Sequence, residues 1–180
     1  ALYLAGRLFR ETLGTKNTAL LGGALRDAGL PACGSFDALS NSDLIVVAGA
    51  DPFRDQPVAS YLVKRSLDAG AELVLVGDEE NGLAPFAGRI VGRDEIDQAV
   101  SAAERAKNPV ILYGAALEEK AAKALKGLEG KAIFIGLEPG VNARAAKAYG
   151  LDGAFEPDGA GILYALTGEK DGDALDRLEG

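Results

Sequence analysis

Ser42-Asp43-Leu44-Ile45-Val46-Val47-Ala48-Gly49-Ala50-Asp51-Pro52 is followed by a helical run and then by Ala71-Glu72-Leu73-Val74-Leu75-Val76-Gly77-Asp78-Glu79-Glu80. Leu44 to Ala48 and Leu73 to Val76 are unbroken aliphatic runs, too short for helices and bounded by polar or glycine-containing turns. Strands covered on both faces read this way, as in a parallel sheet. Between them Ala59, Leu62, Val63, Ser66 and Leu67 share one helical face, while Lys64, Arg65 and Asp68 fall on the other. Ala69-Gly70 ends that helix, because glycine tolerates the left-handed conformation of a C-terminal cap. The stretch is one βαβ unit, and ligands of such sheets bind beyond the carboxyl ends of the strands.

A second unit follows in the same order. Pro109 to Tyr113 is an apolar strand whose leading proline costs no interior ladder bond. Glu118 to Leu128 is a helix burying Ala121, Ala122, Leu125 and Leu128, and Lys131 to Ile135 is the next strand. Between the units, Arg89-Ile90-Val91 reads as a short edge strand. Asp94 to Lys107 is the clearest helix, with Ile96, Ala99, Val100 and Ala103 spaced i, i+3, i+4, i+7. The expected fold is α/β: a Rossmann-like three-layer arrangement whose mostly parallel sheet is built from two βαβ units. Leu44–Ala48, Leu73–Val76, Val110–Tyr113 and Ala132–Ile135 are its expected central strands.

The ends are less distinct. Ala1 to Leu13 reads as an amphipathic helix with Ala5, Leu8, Phe9 and Thr12 on one side, stopped at Gly14. Ala19 to Ala28 is a candidate short helix, Gly29-Leu30-Pro31 a break, and Phe36 to Leu39 a turn capped by Ser35. A helix carrying Ala145, Ala148 and Tyr149 follows Asn142; Ile162 to Leu166 is a candidate last strand and Asp171 to Leu178 a closing helix or tail.

Composition narrows the chemistry. At 180 residues, with 48% of them hydrophobic, the chain fits a single domain spanning 1–180 that folds without metals or disulfides. A formal net charge of −8 argues against broad nucleic-acid binding. No apolar run reaches the ~20 residues that span a bilayer, so no direct membrane insertion is expected. One cysteine, Cys33, and no signal-peptide pattern make a reducing, cytoplasmic setting the expectation. The absence of histidine excludes a histidine-based triad or acid–base pair, and a buried or inert thiol is the expected state of Cys33. Lacking an initiator methionine and helix-like from its start, the sequence reads as an internal piece of a larger protein.

The candidate site residues lie in the loops at the strand ends: Gly49, Ala50 and Asp51, then Asp78, then Gly114, Gly136 and Asn142. Gly49-Ala50-Asp51-Pro52 can bring backbone amides to a phosphate, or simply turn the chain. One of Asp78, Glu79 and Glu80 can accept ribose hydroxyls, or the three can form a solvated acidic turn. With Asp51 they make the expected crevice electronegative, and the basic residues near it are Arg54 and Arg144. Uncompensated like charges of this kind cost about 1–3 kcal/mol, weakening a dinucleotide's binding by one or two orders of magnitude.

The order of motifs resembles the molybdopterin oxidoreductase family. Tyr3 to Asn17, ending Leu13-Gly14-Thr15-Lys16-Asn17, is similar to that family's helix and "LGTNN" stretch. Ser42 to Pro52, Pro57-Val58, Lys64-Arg65 and Gly70 to Val76 follow in the family's order. So do Ala106 to Gly114 and the segment Gly140 to Gly150, which contains Asn142. The family's enzymes hold two molybdopterin guanine dinucleotides, an iron–sulfur cluster and often a Cys, selenocysteine or Ser metal ligand. Here Asp51 stands where Asn is usual, Gly77 to Glu80 replace a common "DPR", and the large insertion between the two halves is missing. Such trimmed forms are similar to the large iron–sulfur subunit of NADH-quinone oxidoreductase, where the fold persists without the molybdenum cofactor.

The resemblance implies a parent oxidoreductase whose iron–sulfur clusters lie in other domains, and no cofactor or catalysis in this chain alone. Its partners would be other domains or subunits of a redox complex. A second implication is a molybdopterin guanine dinucleotide-binding fragment of a formate dehydrogenase-like molybdenum or tungsten enzyme. A free nucleotide-binding module is the third reading.

Overall fold

Five consecutive residues of Leu44–Ala48 are buried on both faces, and a strand so covered must lie inside a sheet with helices above and below. The computed structural model describes residues 2–15, 17–18, 29–32, 34–77, 80–137 and 143–151. In chain order its elements are α1 (Leu2–Gly6), a π-helical segment Arg7–Thr12, a 3-10 helix Phe36–Asn41, β1 (Leu44–Ala48), α2 (Pro52–Asp55), α3 (Pro57–Asp68) and β2 (Glu72–Val76). After them come β3 (Arg89–Val91), α4 (Ile96–Arg105), β4 (Pro109–Tyr113), α5 (Glu119–Lys126), β5 (Ile133–Gly136) and α6 (Ala143–Ala148). The chain divides into two compact units: Leu25–Pro139, and Ala1–Ala24 with Gly140–Gly180.

The larger unit holds an all-parallel sheet in the order β3-β2-β1-β4-β5. Strand β1 is central, pairing Leu44 with Glu72 on one side and with Pro109 on the other. Alternate side chains feed two cores, as the period of two requires. Leu44, Val46, Ala48, Val74, Ile111 and Phe134 pack with Ile96, Ala99 and Ala103 of α4 and with Ala121, Ala122 and Leu125 of α5. Ile45, Val47, Leu73, Leu75 and Leu112 pack with Ala59 and Val63 of α3 and with Leu39 of the 3-10 helix. This is the three-layer α/β fold.

Local rules account for the elements. Ser35 caps the 3-10 helix, its Oγ accepting from Asp37 N at 3.0 Å. Gly70, at φ +103, follows α3 as its glycine stop. On α3 the buried set is Ala59, Ser60, Val63 and Ser66, whereas Leu62 and Leu67 are only partly covered. Ser66 meets the cost of burying a hydroxyl by donating to Leu39 O and Leu62 O at 2.8 and 3.0 Å. At the amino-terminal edge of the sheet, Lys107 N and Asn108 N donate to the Asp43 carboxylate at 2.7 and 2.8 Å, while Asp43 O accepts from Glu72 N at 3.0 Å. One residue thus ties the starts of β1, β2 and β4.

One strand departs from expectation in place and in start. The strand expected as central at Ala132–Ile135 is an edge strand among the described residues, and it begins at Ile133. Ala132 N is held instead by Leu128 O at 2.9 Å, and Ile133 is 45% exposed. Outside β5, Gly34 N donates to Phe134 O at 2.9 Å; a Cβ on Gly34 would stand 2.6 Å from that oxygen, so only glycine allows the approach. Arg89–Val91 is the edge strand expected of it.

In the smaller unit the N-terminal helix widens at Arg7–Thr12, with Leu13 N bonded five residues back to Leu8 O. That shift breaks the i, i+3, i+4 stripe: Ala5 is buried and Phe9 partly so, but Leu8 is 46% exposed and Thr12 is exposed. In α6 Ala146 is buried, whereas Ala145 is half-buried and Ala148 exposed. Ala5, Ala146 and Leu151 form a small core, the Tyr3 and Tyr149 rings meet edge-on at 5.9 Å, and Arg10 donates to Gly150 O. The segments expected at Ala19–Ala28, Ile162–Leu166 and Asp171–Leu178 lie outside the described residues, as does Cys33.

Candidate functional site

Parallel register brings the carboxyl ends of β1, β2, β4 and β5 to one edge of the sheet, at Ala48, Val76, Tyr113 and Gly136. The strand order reverses direction between β1 and β4, the position where sheets of this kind take ligands. Gly49 and Gly114, the residues just after these two strands, are therefore the first to place.

They lie against each other. Gly114 N donates to Ala48 O at 3.1 Å and Ala116 N donates to Gly49 O at 3.0 Å, so the turn 114–117 folds back over β1's end. Gly49 sits at φ +63, and a Cβ built on it would stand 2.2 Å from Leu117 N and 2.4 Å from Leu117 Cα. A Cβ on Gly114 would meet Gly49 O at 2.5 Å and the Ala50 Cβ at 2.7 Å. In a dinucleotide site a glycine here leaves room where a side chain would stand, so that backbone and pyrophosphate can approach. Here that room is taken by the backbone of Ala116 and Leu117. The approach that these two glycines permit is that of one loop of the chain to another.

The other candidates are placed as follows. Ala50 O accepts from Asn81 Nδ2 at 2.8 Å. Asp51 caps α2, its Oδ1 accepting from Phe53 N and Arg54 N at 3.1 and 3.4 Å, and its Oδ2 accepts from Gly82 N at 3.4 Å. Both carboxylate oxygens thus serve backbone amides of the chain. Gly136 closes β5 opposite Tyr113, and Leu137 N continues the ladder to Tyr113 O at 2.7 Å. Asp78 and Asn142 lie outside the described residues, together with Glu79 and 138–141; of the acidic run, Glu80 is described and exposed.

Sequence reasoning did not single out the residues that lie at this end of β1: Ala116, Leu117, Asn81, Gly82 and Leu83. Asn81 Oδ1 accepts from Leu83 N at 3.0 Å, and Leu83 is wholly buried in the core of the α3 face. The Asn81-Gly82 pair was a legible turn signal. Nothing local in Ala115-Ala116-Leu117 marks it as the filler beside Gly49. Lys64 lies off the buried face of α3, with Nζ 5.1 Å from the centre of the Phe53 ring and 4.1 Å from that of Phe86.

At the opposite edge Asp43 has its carboxyl below the usual range. Burial pushes it up, but the amide hydrogens of Lys107 and Asn108, with the Lys107 charge, outweigh burial. Among the described residues no group of three or more His, Cys, Asp or Glu is placed to hold a metal ion. Among them, too, no helix is long and apolar enough to cross a membrane. No protein-family model matches the chain, and no curated protein matches it.

Proposed function

We propose that this chain is an architectural domain of a redox-complex subunit of the molybdopterin oxidoreductase type, similar to the large iron–sulfur subunit of NADH-quinone oxidoreductase. In this reading it works on the cytoplasmic side of the complex, it contributes contacts to other domains or subunits, and its parent carries the redox centres elsewhere. Motif order from Tyr3 to Gly150 supports the kinship. The observation that supports the non-catalytic role is the 114–117 turn seated on Gly49, so that this glycine serves a contact within the chain.

The strand order β3-β2-β1-β4-β5 favours one other reading, a nucleotide-binding module, because its reversal point is the usual ligand position. Isothermal titration of the chain with GDP separates the two. The architectural reading expects no saturable heat at concentrations well above micromolar. A dissociation constant of about 1 μM, some −8 kcal/mol of binding, would overturn it in favour of a nucleotide module or a guanine dinucleotide-binding fragment of a formate dehydrogenase-like enzyme.

A further inference from the structure

The segment 80–86 lies across the carboxyl end of β1 and is fastened there at several points. Asn81 Nδ2 holds Ala50 O at 2.8 Å, Gly82 N reaches Asp51 Oδ2 at 3.4 Å, and Leu83 is wholly buried. Gly82 sits flat on Phe53: a Cβ there would be 2.5 Å from the Phe53 Cβ. The segment ends in a 3-10 turn, Ala84–Phe86, whose Phe86 ring is 47% exposed. Phe53, 53% exposed, stands across from it on α2. Two half-exposed aromatic rings at a loop end are a poor anchor by burial alone. What joins them is Lys64 of α3, whose Nζ is within cation–π reach of both.

We propose that residues 80–86 form a strap over the carboxyl end of β1, latched by the Lys64 ammonium seated between Phe53 and Phe86. The latch works by charge. An ammonium is drawn to the negative faces of the rings, whereas a neutral group of the same length is not. With the latch broken, buried Leu83 still anchors the strap. The residues on either side of it are held by the part-buried bonds of Asn81 and Asp51, which open more readily than the core. Opening frees the Ala50 carbonyl and Asp51 Oδ2 from Asn81 and Gly82, so Lys64 governs how firmly this segment lies on the end of β1.

Amide hydrogen exchange on the intact chain tests this, because Gly82, Leu83 and Phe86 donate their amide hydrogens to Asp51 Oδ2, Asn81 Oδ1 and Leu83 O. Lys64→Gln is expected to speed exchange at these amides roughly tenfold, the scale of losing two exposed cation–π contacts. Lys64→Arg keeps the cation and should keep the protection, and Phe86→Leu should behave like Lys64→Gln. Amides of Ile111 and Leu112 in β4 report on the whole fold and should not change. Unaltered strap exchange in Lys64→Gln would overturn the latch. So would equal loss in Lys64→Arg, which would make the contact one of packing, or equal acceleration in β4.

Discussion

Gly49 and Leu117 meet backbone to backbone, so closely that a Cβ on the glycine would stand 2.2 Å from the Leu117 nitrogen. Two demands fall on one residue: a positive φ of +63, and no side chain where the 114–117 turn passes. A glycine after a strand reads as an invitation to a phosphate. Here it serves the approach of one turn of the chain to another.

Gly49→Ala should therefore cost about 2–5 kcal/mol, combining the left-handed backbone strain with a methyl forced into main chain. Gly70→Ala is the matched control. It also has a positive φ, +103, but nothing lies within 4 Å of its added Cβ. Only the conformational part remains there, about 1–2 kcal/mol. Urea unfolding of both variants checks the difference; equal losses would mean that the 114–117 turn moves aside freely.

Ile111 and Ile133 set a central strand against an edge. Ile111 is 0% exposed between the helix layers, and Ile111→Ala should cost about 2–5 kcal/mol. Ile133, at the start of β5, is 45% exposed, and its truncation to Ala should cost about 1 kcal/mol or less. Denaturant midpoints of the two variants measure this directly.

Much of this fold is legible from local sequence, and the reason is physical. Leu44 to Ala48 is apolar at every position because helices cover both faces, so the run announces both a strand and its parallel setting. Ile96, Ala99 and Ala103 announce α4 by spacing alone. Order across the sheet is different. Lys131 to Ile135 is as apolar as an interior strand, yet it lies at an edge of the described sheet, covered in part by Gly34. The site suffers from the same limit: the filler beside Gly49 comes from a turn about 66 residues onward, and no local pattern names such a partner. The N-terminal helix fails as a stripe because one widened turn at Arg7–Thr12 shifts the phase of every later residue.

Asp43 gives the fold a dependence on pH. Its folded pKa is lowered, so its contribution to stability is fully present above the unfolded value of about 3.9 and is lost as pH falls through the lower folded value. Asp43→Asn leaves one acceptor oxygen for the two amide hydrogens of Lys107 and Asn108 and removes the charge. At pH 7 it should be less stable than the parent by about 1–2 kcal/mol. Below about pH 4 the parent loses its advantage and the two unfolding curves converge. A gap that stays constant from pH 7 to pH 3 would show that the carboxylate is not what the amides hold.

Asn81 joins two loops with two opposite chemistries, and substitution separates them. Its Nδ2 donates to Ala50 O at 2.8 Å while its Oδ1 accepts from Leu83 N at 3.0 Å. Asn81→Ala removes both bonds from a half-buried position and should cost about 1–3 kcal/mol. Asn81→Asp keeps the acceptor for Leu83 but sets a carboxylate oxygen against the Ala50 carbonyl, with the Asp51 carboxylate on the neighbouring Gly82. Both neighbours raise the introduced carboxyl's folded pKa above the unfolded ~3.9, the reverse of Asp43. Protonation restores the donor, so this variant should gain stability relative to the parent as pH falls from 7 toward 4. Asn81→Ala should show no such gain, since it introduces no titrating group. Thermal unfolding of the three proteins across that range measures the sign. An Asn81→Asp penalty that does not shrink on acidification would place the Nδ2 donor away from the Ala50 carbonyl and detach the strap from the end of β1.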